Sequence, residues 1–399
     1  MTVHDLRTQP VRSLYLLYQA FSTIFVRLPW WVVISIRRKD RPRTSWTLRK
    51  AVFLRLVRHL QGVSARTGPV KFIADHLKPS VGPDIKVAWC DPAPEALLNE
   101  KIRGWMKAAN VDTTRIPGYW MDKKGLESTP IGAPVAQSER VLYSLHGGAY
   151  ISLSASPKDI LANIGRGILK HTPSITRCFA LEYRLSRAEP NPPANAFPAA
   201  LLDALAGYLY LINDVGCSPS QIVLVGDSAG ANLAHALTRY LVENAGTPGL
   251  PPPPENLLLL SPWADLTGSH MQAAYKAGLC DSDYLGVPGA PLSSYAVRAF
   301  LGPHGLSGAG LAYISPGSIE PSAEIPVFEN FPRTMIVAGG AEALLFSIRE
   351  LSKRMKEALG EKCEYYEAED AVHDFLVFPK WEPERTQTLR EIAKWVAAA

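Results

Sequence analysis

The run Gln221-Ile-Val-Leu-Val-Gly-Asp-Ser-Ala-Gly230 sets a serine between glycines two residues before and two residues after it, as Gly226-Asp227-Ser228-Ala229-Gly230. An apolar strand pattern precedes it and an amphipathic helix pattern follows it. So sharp a turn from strand to helix tolerates only small neighbours, and it lifts the serine hydroxyl to its tip with a helix amino-terminus beneath. That placement serves nucleophilic attack on an acyl carbon. A bare G-x-S-x-G recurs by chance; the flanking strand and helix are what separate Ser228 from an ordinary strand-to-helix turn. Upstream, His146-Gly147-Gly148-Ala149-Tyr150 closes another apolar strand pattern. Consecutive glycines let backbone approach a ligand closely and turn N–H groups toward it. Preorganised donors facing an oxyanion are worth roughly 2.7–4 kcal/mol each. Gly147 and Gly148 are expected to supply two such donors and Ala229 a third.

The serine needs a base, and imidazole is the usual one. Of the nine histidines, only His373, in Ala371-Val372-His373-Asp374-Phe375, follows the last expected strand. His235 falls inside the helix after the serine, and His146 precedes its glycine loop, where a structural role is expected. His4, His59, His76, His171, His270 and His304 fall in the amino-terminal part, in connectors or in an insertion. With the order serine, acid, histidine, the acid should precede His373. Ala338-Gly339-Gly340-Ala341-Glu342-Ala343-Leu344 offers a glycine turn and then a carboxylate before a helix, so Glu342 is expected to orient the imidazole, a task glutamate performs as well as aspartate. Asp370 and Asp374 are its rivals; Asp374, the immediate neighbour of His373, is not expected to reach Nδ1.

These residues require a scaffold that brings strand ends together. Strand patterns cover Arg140–Leu145, Arg177–Tyr183, Gln221–Gly226, Asn256–Ser261, Arg333–Ala338 and Lys362–Ala368, and helical patterns cover Pro157–Lys170, Ala199–Asn213, Ala229–Asn244, Leu344–Leu359 and Arg385–Val396. Such alternation predicts an α/β fold, a mostly parallel central sheet with helices on both faces and its site beyond the carboxyl ends of the strands. Two regions break the rhythm. Residues 1–95 form an amino-terminal apolar and basic segment with a helical cap, leaving 96–399 as the catalytic domain. Within that domain, a Gly-, Pro- and Ser-rich stretch around 265–319 is an expected insertion above the strand ends, part of a lid.

A chain of 399 residues with 47% hydrophobic and 20% charged residues can bury a full core, which excludes wholesale disorder. The five cysteines lack C-x-x-C spacing, so neither a disulfide framework nor a zinc site is read, and buried thiols are expected. No cofactor or metal motif is found. Much of the net charge of +5 lies between Arg37 and Arg58. Nucleic acid is not the expected partner, since no reading motif accompanies that block. Leu14–Ile36 is the most apolar stretch, about long enough to span a bilayer, but Gln19, Arg27 and Pro29 interrupt it. A spanning anchor, a helix in the interface and a lid helix are all open; Trp30 and Trp31 beside the basic run suit the interface. Membrane contact through residues 14–58 is expected. If the segment spans, the positive-inside rule puts the catalytic domain on the cytosolic side; a soluble cytoplasmic protein is the alternative. The oligomeric state is not legible.

Taken together, the motifs resemble the hormone-sensitive lipase family of α/β hydrolases, which includes arylacetamide deacetylase and many microbial esterases. The resemblance runs from about Arg140 to the carboxyl terminus. It rests on HGGAY at His146–Tyr150, EYRL at Glu182–Leu185, FPAALLDAL at Phe197–Leu205, GDSAG at Gly226–Gly230, SPWADLT at Ser261–Thr267 and VHDF at Val372–Phe375. It implies an α/β-hydrolase fold with a helical amino-terminal cap, and an oxyanion hole at Gly147, Gly148 and Ala229. Three departures stand out: Ala149 where a third glycine is usual, Glu342 where aspartate is usual, and Ser186-Arg187-Ala188-Glu189 in place of a shorter stretch. The expected activity is hydrolysis of a lipophilic carboxylic ester by Ser228, Glu342 and His373. Acyl transfer or amide hydrolysis by the same three residues is the alternative. A non-catalytic binder is disfavoured, because the histidine is present.

Overall fold

The computed structural model describes residues 4–68, 75–286 and 291–398. Its centre is an eight-stranded sheet. The strands are β1 (Lys86–Cys90), β2 (Ile116–Asp122), β3 (Arg140–Leu145), β4 (Ile175–Leu181), β5 (Ile222–Asp227), β6 (Asn256–Leu260), β7 (Arg333–Gly339) and β8 (Cys363–Ala368). Their order across the sheet is β1-β2-β4-β3-β5-β6-β7-β8. β2 pairs antiparallel with both β1 and β4, and every other pairing is parallel.

The central strands carry continuous apolar runs, Ile222–Val225 in β5 and Leu257–Leu260 in β6, because both faces of a parallel sheet are covered. Alternation divides them between two cores. Ile222 and Leu224 of β5 and Leu257 and Leu259 of β6 face one core; Val223, Val225, Leu258 and Leu260 face the other. The second core takes Leu54 of α3 (Leu48–Thr67), with Ile164 and Ile168 of α5 (Ala162–His171). The first takes Ile102 of α4 (Glu100–Ala109), the apolar faces of α6 (Ala199–Asn213) and α7 (Ala229–Glu243), and Ile348 and Leu351 of α10 (Leu345–Leu359). Leu389 and Ile392 of α11 (Glu384–Ala397) complete the second core. All five cysteines are buried free thiols.

Two elements depart from the sequence reading. The sheet begins at Lys86, inside the stretch assigned to the amino-terminal segment, and β2 is not among the expected strands. Both are antiparallel strands at one edge, and Pro117 and Gly118 hide the alternation of β2. Gly118 is needed there: a Cβ would lie 2.2 Å from the Phe179 ring of β4. β4 also starts earlier than expected, at Ile175.

Before α3, α1 (Val11–Ser22), a π turn (Thr23–Arg27) and α2 (Leu28–Ile34) form one continuous helical rod. It runs back along α3, with Tyr15 under the Arg66 guanidinium and Thr23 bonded to His59 at 2.9 Å. The segment between β6 and β7 carries α8 (Met271–Lys276) and α9 (Pro291–Leu301).

Candidate active site

β5 ends at Asp227, and Ser228 stands between it and α7 with φ +53° and ψ −116°, a conformation a non-glycine residue adopts only when its surroundings force it. Here the forcing is steric. A Cβ on Gly226 would lie 2.1 Å from Gly230 O, and one on Gly230 would lie 2.0 Å from Leu145 O. Only glycine at both positions lets the turn close against β3.

The turn brings together three side chains that the sequence separates widely. Ser228 Oγ lies 2.9 Å from His373 Nε2, and His373 Nδ1 lies 3.1 Å from Glu342 Oε2. Glu342 is fully buried, His373 is 2% exposed and Ser228 9%. With its proton on Nδ1, the imidazole donates to Glu342 and accepts from the Ser228 hydroxyl. Asp370 is elsewhere: its Oδ1 accepts from Ser45 Oγ at 2.8 Å. Asp374 does reach the ring, but on the other nitrogen, with Oδ2 3.1 Å from Nε2. Burial by itself would depress the imidazole, yet Asp374 and Glu342 on its two sides outweigh burial and hold it well above its ordinary value. Burial pushes Glu342 up to about 7, against the pull of the imidazole. Asp227 is also raised well above the carboxylate range, first by burial and then by the charge of Asp374.

The loop after β3 requires a correction. Gly147 N–H donates to Asp227 Oδ2 at 3.0 Å, so it is engaged inside the protein and does not face an oxyanion. The approach explains the glycine, since a Cβ there would lie 2.4 Å from the same oxygen. The N–H groups of Gly148, Ala149 and Ala229 have no acceptor among the described residues. Gly148 has φ +107°, while Ala149 and Tyr150 are held at +54° and +62°. His146 is buried and stacked on Tyr183 with ring centroids 4.2 Å apart, and desolvation lowers it to about 4. His235 is buried beside Phe328 and Phe331. Neither ring bonds to Ser228.

Three carboxylates escaped sequence reasoning. The serine motif assigns Asp227 no role, and Asp374 is a rival only for Nδ1. Asp283, from the insertion, carries no motif; its Oδ1 accepts from His373 N at 3.3 Å and its Oδ2 from Ala343 N at 2.7 Å.

A serine at a strand-to-helix elbow, an imidazole and a carboxylate buried in series with it, and nearby N–H groups without an acceptor among the described residues together form an arrangement suited to acyl transfer. The chain belongs to the α/β hydrolase fold family, whose profile it matches over residues 142–377. It is 29% identical over 270 residues to Esterase LipU of Mycobacterium tuberculosis, covering 67% of this chain and 80% of that one. Over 134 residues it is 38% identical to an acetyl-hydrolase of Streptomyces hygroscopicus, but that match covers only 33% of this chain and 39% of the other. In fold it is similar to a hormone-sensitive lipase from a metagenome library, with a TM-score of 0.58, 24% identity, and 88% and 97% of the two chains covered. At that identity the structural likeness shows the fold, the α/β hydrolase fold that the family match also gives.

Proposed function

We propose that this chain is a serine carboxylic-ester hydrolase in which Ser228 is the nucleophile, His373 the base and Glu342 the acid that orients it. The observation carrying this reading is the unbroken relay of 2.9 Å and 3.1 Å from hydroxyl to imidazole to carboxylate. As Ser228 Oγ attacks the acyl carbon, Nε2 takes its proton, and Glu342 stabilises the imidazolium that forms. The negative charge that develops on the carbonyl oxygen is met by the N–H groups of Gly148, Ala149 and Ala229, each worth roughly 2.7–4 kcal/mol. The imidazolium returns its proton to the leaving alcohol, and water resolves the acyl-enzyme by the same steps. Hydrolysis of p-nitrophenyl esters of increasing acyl length tests this, with Ser228→Ala as control. No turnover by the wild type together with no covalent labelling by a fluorophosphonate would overturn it.

The substrate is lipophilic, and the protein meets a membrane surface through its amino-terminal helices. The helical rod Val11–Ile34 is inverted in polarity: Gln19, Ser22 and Thr23 are buried, whereas Leu14, Leu17, Phe21, Phe25 and Trp30 are exposed. Only 17% of its most apolar window is covered by protein. At 1.5 Å per residue, its 24 residues extend about 36 Å. Because the rod lies along α3, whose own apolar side is built into the domain core, its exposed face suits a bilayer interface rather than a span. The adjoining basic run Arg37–Arg43 suits anionic headgroups. We infer that the rod and the insertion between β6 and β7 form the cap over Ser228.

A further inference from the structure

We propose that Asp283, in the insertion between β6 and β7, is a positioning residue that holds the Glu342 loop and the His373 loop in one register. This rests on the assignment of Glu342 and His373 above. Asp283 is fully buried, and among the described residues no lysine or arginine pairs with it. A buried carboxylate without a cation is costly unless hydrogen bonds replace its hydration. Backbone amides do so here: Tyr284 N at 2.8 Å and His373 N at 3.3 Å donate to Oδ1, and Ala343 N at 2.7 Å donates to Oδ2. Two of these three amides belong to the reacting loops. One is the amide of the base itself, and the other is that of the residue after the acid. Each oxygen therefore grips a different loop, which closing the insertion on itself would not require.

Its neighbours act on the same two loops. Ser282 Oγ donates to Ala341 O at 2.9 Å, so the acid loop is held on both sides of Glu342. The Tyr284 ring stands edge-on to the imidazole with centroids 5.8 Å apart. Ser282, Asp283 and Tyr284 thus form a continuous clamp from Ala341 to His373. The carboxylate also contributes charge. Burial raises Asp283 above the ordinary carboxylate range, with His373 and the three amides pulling the other way, and its charge adds to the upward push on Glu342. With Asp283 in place, Glu342 holds the Nδ1 proton more strongly, and the imidazole is favoured in its protonated form.

The test uses the full chain and Asp283→Asn, which keeps the volume but turns one acceptor into a donor facing an amide. Active sites are titrated to completion with a fluorophosphonate, so that rates refer to folded enzyme. For p-nitrophenyl butyrate, kcat per titrated site is expected to fall about 10- to 100-fold, as for a displacement of the reacting groups by up to about 1 Å. KM should stay within about twofold, and the acidic limb of the pH profile should move to lower pH as the imidazole loses a neighbouring negative charge. A purely structural role would lower the titre and leave kcat per site and the limb unchanged; that result overturns the proposal. Should Asp283→Asn fail to fold, Ser282→Ala decides: kcat per site reduced about two- to fivefold at unchanged KM supports the clamp, and wild-type kcat overturns it. Failure of the wild type to label at Ser228 would instead sink the underlying assignment of the triad.

Discussion

Asp374→Asn removes one of the two carboxylates that flank the His373 imidazole, and its effect can be worked from the geometry. Asp374 Oδ2 lies 3.1 Å from Nε2, the nitrogen that must be unprotonated to accept from Ser228. At that separation a unit charge pair is worth about 5 kcal/mol at an effective dielectric near 20 and about 1.3 kcal/mol in water. Divided by 1.36 kcal/mol per unit, this brackets the contribution of Asp374 to the imidazole between about one and about four units. Asp227 narrows the range from above: freed from the charge of Asp374, it ionises more readily and restores part of the field. The expected shift is therefore at least about one unit downward. The sign follows from the chemistry. A base held in its protonated form below a raised pKa is inactive there, so lowering that pKa extends activity to more acidic solution. In kcat/KM profiles with a soluble p-nitrophenyl ester, the acidic limb of the variant should lie at least about one unit below that of the wild type, giving about five- to tenfold higher kcat/KM one unit below the wild-type limb. A limb within about 0.3 unit of the wild type, or one moved upward, would show that no charge on Asp374 faces Nε2 and would refute this electrostatic account.

Other substitutions separate the remaining parts of the site. Glu342→Gln should lower kcat by about three to four orders of magnitude with little change in KM, as loss of the orienting acid does elsewhere. A loss under about tenfold would show that Glu342 is not the orienting acid. Gly230→Ala places a Cβ 2.0 Å from the Leu145 carbonyl, so the elbow must open. Thermal denaturation should then show a loss of more than about 3 kcal/mol or no folded protein, and a melting temperature within about 2 °C of the wild type would contradict the steric reading. Phe21 and Phe25, each 63% exposed, carry the apolar face of the amino-terminal rod. The double variant Phe21→Glu/Phe25→Glu should lose co-flotation with anionic vesicles while hydrolysing a soluble ester normally. Unchanged flotation would remove the membrane from the proposal, and conversion of a wild-type dimer to monomer would point to a second copy as the occupant of that face.

The parts of the molecule legible in the sequence are those where a residue type answers a local demand. β5 and β6 read correctly because strands covered on both faces admit only apolar residues. The strand-to-helix turn at Ser228 was legible because an elbow with φ +53° demands glycines at fixed offsets. β2 escaped because Pro117 and Gly118 interrupt its pattern, and the demand that Gly118 answers comes from a partner, the Phe179 ring, that lies far along the chain. Gly147 misled for the same reason. The glycine is there for close approach, as expected, but what approaches is the Asp227 carboxylate, and its claim on the N–H follows from a side-chain direction that no spacing encodes.

The carboxylates around His373 carry this furthest. Four of them, Asp227, Asp283, Glu342 and Asp374, are buried within one small volume, where four unit charges could not coexist in a low-dielectric interior. The structure resolves the conflict by giving each a different compensation. Glu342 and Asp374 share the imidazole, Asp227 is driven toward its neutral form, and Asp283 is solvated by amides. Only the first solution leaves a trace in residue types, because an imidazole is needed for it and histidines are few. An amide is offered by every residue except proline, so a carboxylate satisfied by amides 60 and 90 residues away predicts no partner and belongs to no motif. Under the proposed mechanism, sequence therefore finds the groups that exchange protons and misses the groups that hold them in place, although both are needed if a serine of ordinary acidity is to attack.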